Sequence, residues 1–565
     1  MLTAGPATQA GQTQAQTQEE ASNWVHGGMV SVANPYAAEA AADVLRAGGH
    51  AVDAAIAAHT VLGLVEPQSS GIGGGAFMLV FDRQANKLTA YNGRERAPAT
   101  ATGNLFAAAD GTTIGFREAW QGGVSTGVPG SVALYKLAHD DHGKLPWQQP
   151  FNTAIALATK GFEVSPRLAG FLPRIAQFGR LDEDPGAASY FYPNGTPLAA
   201  GALRTNADYA QTLSRIAAEG PSAFYTGEIA TAIVAATARN PLPGQLSLAD
   251  LANYTATRGE ALCLQTRSEK LCTVQPPSSG LAALSMVALY DHLVPENPTA
   301  TQQMAAFVDA QRLAYADRDH YIGDPEFAAI PVADLLNPTY LAARAEQRFA
   351  PDASPTPGDP GALLRAEPLL SRFAADLPTE TSSTTHFSII DTAGNAVAMT
   401  ASVEAPFGNS RFVHGFLLNN QLTDFRRDAD GLAHANAPQP RKRPRSSMSP
   451  VMAFAPDGSL RLVTGSPGGN SIIAYVAKSL LASLRWGLTD ADSVAAPNVV
   501  ARGPKVRVET ATEAGKTMAA ALKQLGYPVQ EREGENSGLH QLRVSTEGLT
   551  GAADPRREGT VIKVP

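Results

Sequence analysis

The sequence predicts an α+β protein in which strands and helices from both halves of the chain build one body. Three observations predict it. Met29-Val30-Ser31-Val32-Ala33 is a strand pattern that runs through Asn34-Pro35 into an Ala-rich helical stretch. His386-Phe387-Ser388-Ile389-Ile390, the turn Asp391-Thr392-Ala393-Gly394-Asn395 and the run from Ala396 to Val403 read as strand, turn and return strand. Leu460-Arg461-Leu462-Val463-Thr464 passes through Gly465-Ser466-Pro467-Gly468-Gly469-Asn470 into the helical stretch Ile472 to Leu484. Strands and helices mixed across both halves argue against two independent domains.

In chain order, residues 1–27 read as a disordered N-terminal segment. Met1 to Ala10 looks like the small-residue tail of a secretory signal without its charged and apolar parts, and the Gln- and Thr-rich run after it is polar and low in complexity. The first helix runs through Leu45, with Gly48-Gly49 supplying C-cap chemistry, and a second runs from Ala51 to about Leu64. Glu66 to Ala76 is a glycine-rich turn leading into the strand Phe77-Met78-Leu79-Val80. Because no Gly-Lys-Ser/Thr follows it and no helix opens there, close backbone packing explains it better than a phosphate site. The middle, about 120–350, is mostly helical. Residues 351–383 carry many Pro and small residues with weak periodicity, which suits an exposed processing loop rather than a folded element. Gly415 to Asn420 reads as a further strand.

Composition removes several classes of function. At 565 residues the chain can bury a large core. Lys plus Arg number 44 against 52 acids, a net charge of −8, which argues against bulk nucleic-acid binding and a polybasic membrane anchor. No apolar stretch reaches the roughly 18–20 residues of a membrane span; the nearest, Val52 to Val65, is broken by Asp53 and His59. The two cysteines, Cys263 and Cys272, flank a polar turn. Two readings fit them: a disulfide closing a short hairpin, or two separate buried thiols. Without nearby histidines they are too few for a metal site.

The chemistry concentrates at Thr381-Ser382-Ser383-Thr384-Thr385-His386, where the processing segment opens into a strand. A hydroxyl is a poor nucleophile until a base takes its proton, and an N-terminal Thr carries such a base in its own α-amine. That amine has an unperturbed pKa of about 7.7–8.0, so it accepts protons near neutrality. A cut between Ser383 and Thr384 would create it.

Eight segments, in order, resemble the γ-glutamyltranspeptidase family of N-terminal-nucleophile hydrolases. They are Gly48 to Ala55, Gly73 to Met78, Arg94-Glu95-Arg96-Ala97-Pro98, Pro276-Pro277-Ser278-Ser279-Gly280, Thr384 to Ser388, Leu418-Asn419-Asn420-Gln421, Arg443 to Pro450 and Thr464 to Gly469. The resemblance runs from about Gly28 to the C-terminus. It implies a four-layer αββα sandwich and a precursor that cuts itself into a large subunit, 28–383, and a small catalytic subunit, 384–565, which stay together as a heterodimer.

The resemblance also implies roles. Thr384 attacks the γ-amide of a glutathione-like donor, and water or an acceptor amine or peptide resolves the γ-glutamyl-enzyme. Ser402 stands where the family has a Thr bonded to the nucleophile, and the exchange keeps the hydroxyl. Gly468 and Gly469 match the oxyanion-hole glycines. Arg94 matches the clamp for the substrate α-carboxylate, Ser446 and Ser447 match hydroxyl donors to the same group, and Asp424 matches the acid that binds the α-ammonium. Glu404 stands where many members carry Asn and others Glu, putting two carboxylates around one ammonium. The Arg441, Lys442, Arg443, Arg445 cluster, which in isolation looks like a nucleic-acid patch, falls in a family segment and reads as structural or substrate-rim.

The family carries further implications. The segment Phe425 to Lys442 is shorter than in members whose loop covers the pocket and contains no Tyr, so a more open pocket is expected. No metal or organic cofactor is required. A periplasmic or secreted site is expected, which fits pairing of Cys263 with Cys272. The leading activity is γ-glutamyltransferase/glutathione hydrolase. The alternatives are a glutaryl-cephalosporin-type acylase of the same fold and an uncleaved, non-catalytic binding relative.

Overall fold

The strand patterns assemble into two stacked sheets. The structure, a computed structural model, describes residues 24, 26–347, 349–374, 383–427 and 432–565. The strands are β1 (Gly28–Val32), β2 (Gly75–Asp82), β3 (Lys87–Gly93), β4 (Thr257–Glu260), β5 (Leu262–Gln265), β6 (Lys270–Thr273), β7 (Ser383–Ile390), β8 (Ala396–Glu404), β9 (Val451–Phe454), β10 (Leu460–Gly465), β11 (His540–Ser545), β12 (Gly548–Ala553) and β13 (Thr560–Val564). A seven-stranded sheet runs β13-β1-β7-β8-β2-β3-β4, and a six-stranded sheet runs β12-β11-β10-β9-β6-β5. Helices α1 (Pro35–Arg46) and α2 (Ala51–Val65) cover the first sheet. Helices α3 (Gly280–Leu293) and α5 (Ile472–Leu484) cover the second, and α4 (Ala300–Tyr321) packs against α3, completing four αββα layers.

Side-chain alternation explains why the central strands are buried on both faces. Along β2, Phe77, Leu79 and Phe81 enter the core shared with the second sheet, whereas Ala76, Met78 and Val80 enter the core under α1 and α2. On β7, Phe387 and Ile389 point to the α1/α2 side. The other set, Thr384, His386 and Ser388, therefore faces the second sheet, and Ser388 Oγ donates to the His540 carbonyl there. Asn34 caps α1, accepting from Tyr36 N, and Gly48 adopts φ +82° beyond its end, as the Gly-Gly signal predicts.

Two expectations are revised. Part of 351–383 is folded: Asp359 caps a short helix, Pro360–Arg365, and its carboxylate also accepts from Leu369 N. The strand expected over Gly415 to Asn420 shrinks to Phe416–Leu417, because Asn419 turns its side chain onto the Gly73 and Gly127 carbonyls. The N-terminal segment lies outside the described residues except Trp24, His26 and Gly27. The cysteines are directly opposed on β5 and β6 and joined by a disulfide.

Candidate active site

Thr384 is the second residue of β7 and almost fully buried. It shares the inner face with Ser402 on neighbouring β8, beside a register shift between Ala401 and Glu404. The two hydroxyls lie 3.1 Å apart and converge on one acceptor: the Ser383 carbonyl oxygen receives Thr384 Oγ1 at 2.6 Å and Ser402 Oγ at 2.7 Å. Ser402 Oγ in turn accepts from Glu404 N at 2.9 Å. The Ser383 hydroxyl donates to the Gln68 carbonyl, which anchors the residue before the junction to the Glu66–Ser70 loop.

The glycine-rich turn exists for this packing. A Cβ on Gly73 would collide with the Leu417 carbonyl, and one on Gly74 with the Ser402 carbonyl. The packing reading of Gly73-Gly74-Gly75 therefore holds.

Gly468 and Gly469 form the turn that opens α5. Gly468 has φ +139° and Gly469 φ +57°, both in the range that favours glycine, and a Cβ on Gly468 would lie 2.5 Å from the Tyr475 ring. Gly469 lines a cavity with Thr384, Ser402, Glu404, Gln421, Asp424, Ser446, Ser447, Met448 and Ile472. Gly468 lines the adjoining pocket on the other side of the turn. The nucleophile cavity is narrow, about 20 Å³, room for roughly one water.

Arg94 stands outside this cavity. It lies behind Asp424, fully buried, and donates from Nη2 to Asp424 Oδ2 at 2.5 Å and to the Arg445 carbonyl at 2.8 Å. Its Nε reaches the Pro444 carbonyl at 3.2 Å, and its Nη1 lies 3.4 Å from Glu95. The two groups expected to take opposite ends of a zwitterion thus hold each other. Gln421 Nε2 also donates to Asp424 at 2.9 Å, and Asn420 Nδ2 to Glu404 at 2.5 Å. Arg318 Nη2 donates to Ser447 Oγ at 2.7 Å, and the Pro-Pro-Ser-Ser-Gly segment braces Ser446, whose carbonyl accepts from Ser279 N at 2.7 Å and whose N–H donates to the Pro277 carbonyl at 2.9 Å.

Electrostatics follow burial. Desolvation pushes the Glu95 carboxyl up to about 7, with Arg94 opposing it only in part. The His386 imidazole, buried against Thr400 and Ser388, is driven well below the usual histidine range and is neutral. Burial would raise Asp319, yet Arg502, Arg318 and Arg445 together hold it below the ordinary range.

Sequence reasoning missed Arg557. Its Nη1 donates to the Thr384 carbonyl at 2.8 Å, and its other nitrogens reach the Ser537 and Asn536 carbonyls. Burial lowers its pKa to about 9. An Asp-Pro-Arg-Arg run gives no local hint of this, since exposed arginines are the rule. The basic cluster at 441–445 is structural: Lys442, Arg443 and Arg445 are buried, and Arg443 pairs with Glu326 at 2.6 Å.

A four-layer sandwich with a buried Thr at the start of a central strand defines the class of N-terminal-nucleophile hydrolases. The chain matches the family described as Gamma-glutamyltranspeptidase over residues 37–564 and belongs to that family. It is 33% identical over 548 residues to the glutathione hydrolase proenzyme of Bacillus subtilis (strain 168), covering 95% of this chain and 91% of that one. It is 33% identical over 544 residues to the glutathione hydrolase proenzyme of Escherichia coli (strain K12), covering 94% and 90%. The crystal structure of cephalosporin acylase from Bacillus halodurans superposes with a TM-score of 0.83 at 26% identity, covering 95% of this chain and 96% of that one.

Proposed function

We propose that this protein is a self-cleaving γ-glutamyltransferase/hydrolase with Thr384 as its nucleophile. The observation that carries the reading is the Ser383 carbonyl oxygen held by both the Thr384 and Ser402 hydroxyls. Those contacts draw electron density from the carbonyl and set the Thr384 hydroxyl beside it. Attack by Oγ1 on the Ser383 carbonyl carbon moves the acyl group from nitrogen to oxygen. Water then hydrolyses the ester, leaving 1–383 and 384–565 as two chains and Thr384 with a free amine.

In turnover the amine takes the Thr384 hydroxyl proton as Oγ1 attacks the donor γ-carbonyl, then passes it to the leaving amine. The N–H groups of Gly468 and Gly469 stabilise the oxyanion, each donor contributing about 3–4 kcal/mol. Water or an acceptor amine completes the cycle. For recognition, the substrate zwitterion exchanges with the Arg94–Asp424 pair: its α-carboxylate takes Arg94 with Ser446 and Ser447, and its α-ammonium takes Asp424 and Glu404. A periplasmic or secreted location suits the Cys263–Cys272 disulfide, and no helix among the described residues is long and apolar enough to cross a membrane.

Intact mass of the wild type beside Thr384→Ala tests the reading. Two chains, the smaller beginning at Thr384, and one chain in the variant are expected; a single chain in both overturns it. The similarity to a cephalosporin acylase supports a second reading, a glutaryl-amide acylase. Turnover of γ-glutamyl over glutaryl anilide decides for the first, because only the former carries the ammonium that Asp424 and Glu404 would bind.

A further inference from the structure

Arg557 stands where the sheet leaves the nucleophile without a neighbour. The β1–β7 ladder ends with Val32 opposite Phe387, so β1 gives Thr384 no partner. The segment just before β13 supplies one. Arg557 is buried there, and all three guanidinium nitrogens donate to carbonyls: Nη1 to Thr384 at 2.8 Å, Nη2 to Asn536 at 2.9 Å and Nε to Ser537 at 3.2 Å.

The second and third contacts lead toward the oxyanion turn. Gly538 N donates to Ser466 Oγ at 3.3 Å, and a Cβ on Gly538 would meet both the Arg557 side chain and Pro467. Asp554 fixes the same segment, accepting from Ser537 Oγ at 2.6 Å and from Arg556 Nη1 at 2.9 Å. One guanidinium therefore ties the strand that carries the nucleophile to a segment packed on Ser466-Pro467, immediately before Gly468 and Gly469.

The charge of Arg557 matters beside its shape. A cut before Thr384 leaves an α-amine two bonds from the carbonyl carbon whose oxygen Arg557 holds, which puts the guanidinium within about 6 Å of that amine. On the cavity side, Thr384 faces Glu404 and Asp424. Both carboxylates favour the ammonium form, which cannot take a hydroxyl proton. Asp424 is offset by Arg94, and the His386 ring and Tyr475 hydroxyl are neutral. Arg557, outside the cavity, is the cation in contact with Thr384 itself. Burial lowers its pKa to about 9, with Arg167 acting in the same direction and Glu66 and Asp554 against it. It thus keeps its charge where an amine of ordinary pKa, about 7.7–8.0, titrates.

Resting on the γ-glutamyl reading, we propose that Arg557 is a positioning residue for Thr384: it fixes the nucleophile against the oxyanion segment and, as a cation beside the freed amine, keeps that amine in its uncharged, proton-accepting form.

The test is the acid limb of kcat/KM against pH for γ-glutamyl p-nitroanilide, in the mature wild type, Arg557→Gln and Arg557→Lys. Glu95, with its pKa pushed up to about 7, contributes alike to all three profiles. Removing the cation raises the pKa of the amine, so the limb of Arg557→Gln should move up by about one pH unit, roughly a tenfold loss of rate below it. Arg557→Lys keeps the charge but loses the planar fork, so its limb should stay at the wild-type position while its plateau falls. An unmoved limb in Arg557→Gln, or equal movement in both variants, overturns the proposal and leaves the γ-glutamyl reading intact. Neutral variants that stay uncut, with Arg557→Met as the second, also overturn it, because residue 384 has no free amine in the precursor for a cation to act on. Failure of the wild type to turn over the anilide overturns both.

Discussion

Ser402 and Glu95 show how much a single side chain carries here. The Ser402 hydroxyl touches both the Thr384 hydroxyl and the Ser383 carbonyl, so Ser402→Ala should slow self-cleavage by about a hundredfold, whereas Ser402→Thr should retain it. A time course of uncut chain on a denaturing gel checks this. Glu95 is buried with a pKa raised from 4.5 to about 7. Between those values the folded state holds a proton that the unfolded chain has lost, so this group makes stability fall as pH rises through the window. Glu95→Gln should remove up to about 3 kcal/mol of that decline, read from denaturant unfolding at about pH 5 and about pH 8. Thr384 was legible because hydroxyls crowd before a strand. Arg557 was not, because its partners Ser537, Asn536 and Thr384 lie far apart or out of pattern in the chain.

At the scale of an element, the turn before α5 carries the proposed oxyanion site. Gly468 combines φ +139° with a Cβ position 2.5 Å from the Tyr475 ring. Gly468→Ala should strain the turn by about 1–3 kcal/mol and lower kcat by roughly a hundredfold, while self-cleavage, which precedes substrate binding, reports separately whether the rest of the site is formed. The α5 pattern was plain from its apolar run. The glycine-rich turn before β2 was legible as packing, but its partners, the Leu417 and Ser402 carbonyls, belong to the other half of the chain and could not be read locally. The Pro360–Arg365 helix was missed because six residues show too little periodicity to register against their prolines.

For the whole molecule, the sheet order predicts the fate of the cut chain. β7 and β8 lie between β1 and β2, and β13 beyond β1, so strands on either side of residue 383 alternate across the first sheet; in the second, β5 and β6 extend strands from the C-terminal part. Separating the pieces would break ladders in both sheets and open both cores. The cut protein should therefore elute as one species under native conditions and as two chains only in denaturant, which size exclusion with and without urea checks.

The sequence by itself determined the element types, the hydroxyl junction at Ser383-Thr384 and the glycine turns, because these depend on neighbours in the chain: periodicity, turn chemistry and runs of small residues. Only the tertiary structure decided what those groups face. It paired Arg94 with Asp424 across 330 residues, closed the nucleophile cavity to about 20 Å³, and buried Arg443 and Arg445 beside Glu326 and Asp319. The reason is desolvation. A charge out of water must find a partner wherever the fold brings one, and which partner comes is set by strand order rather than by local sequence.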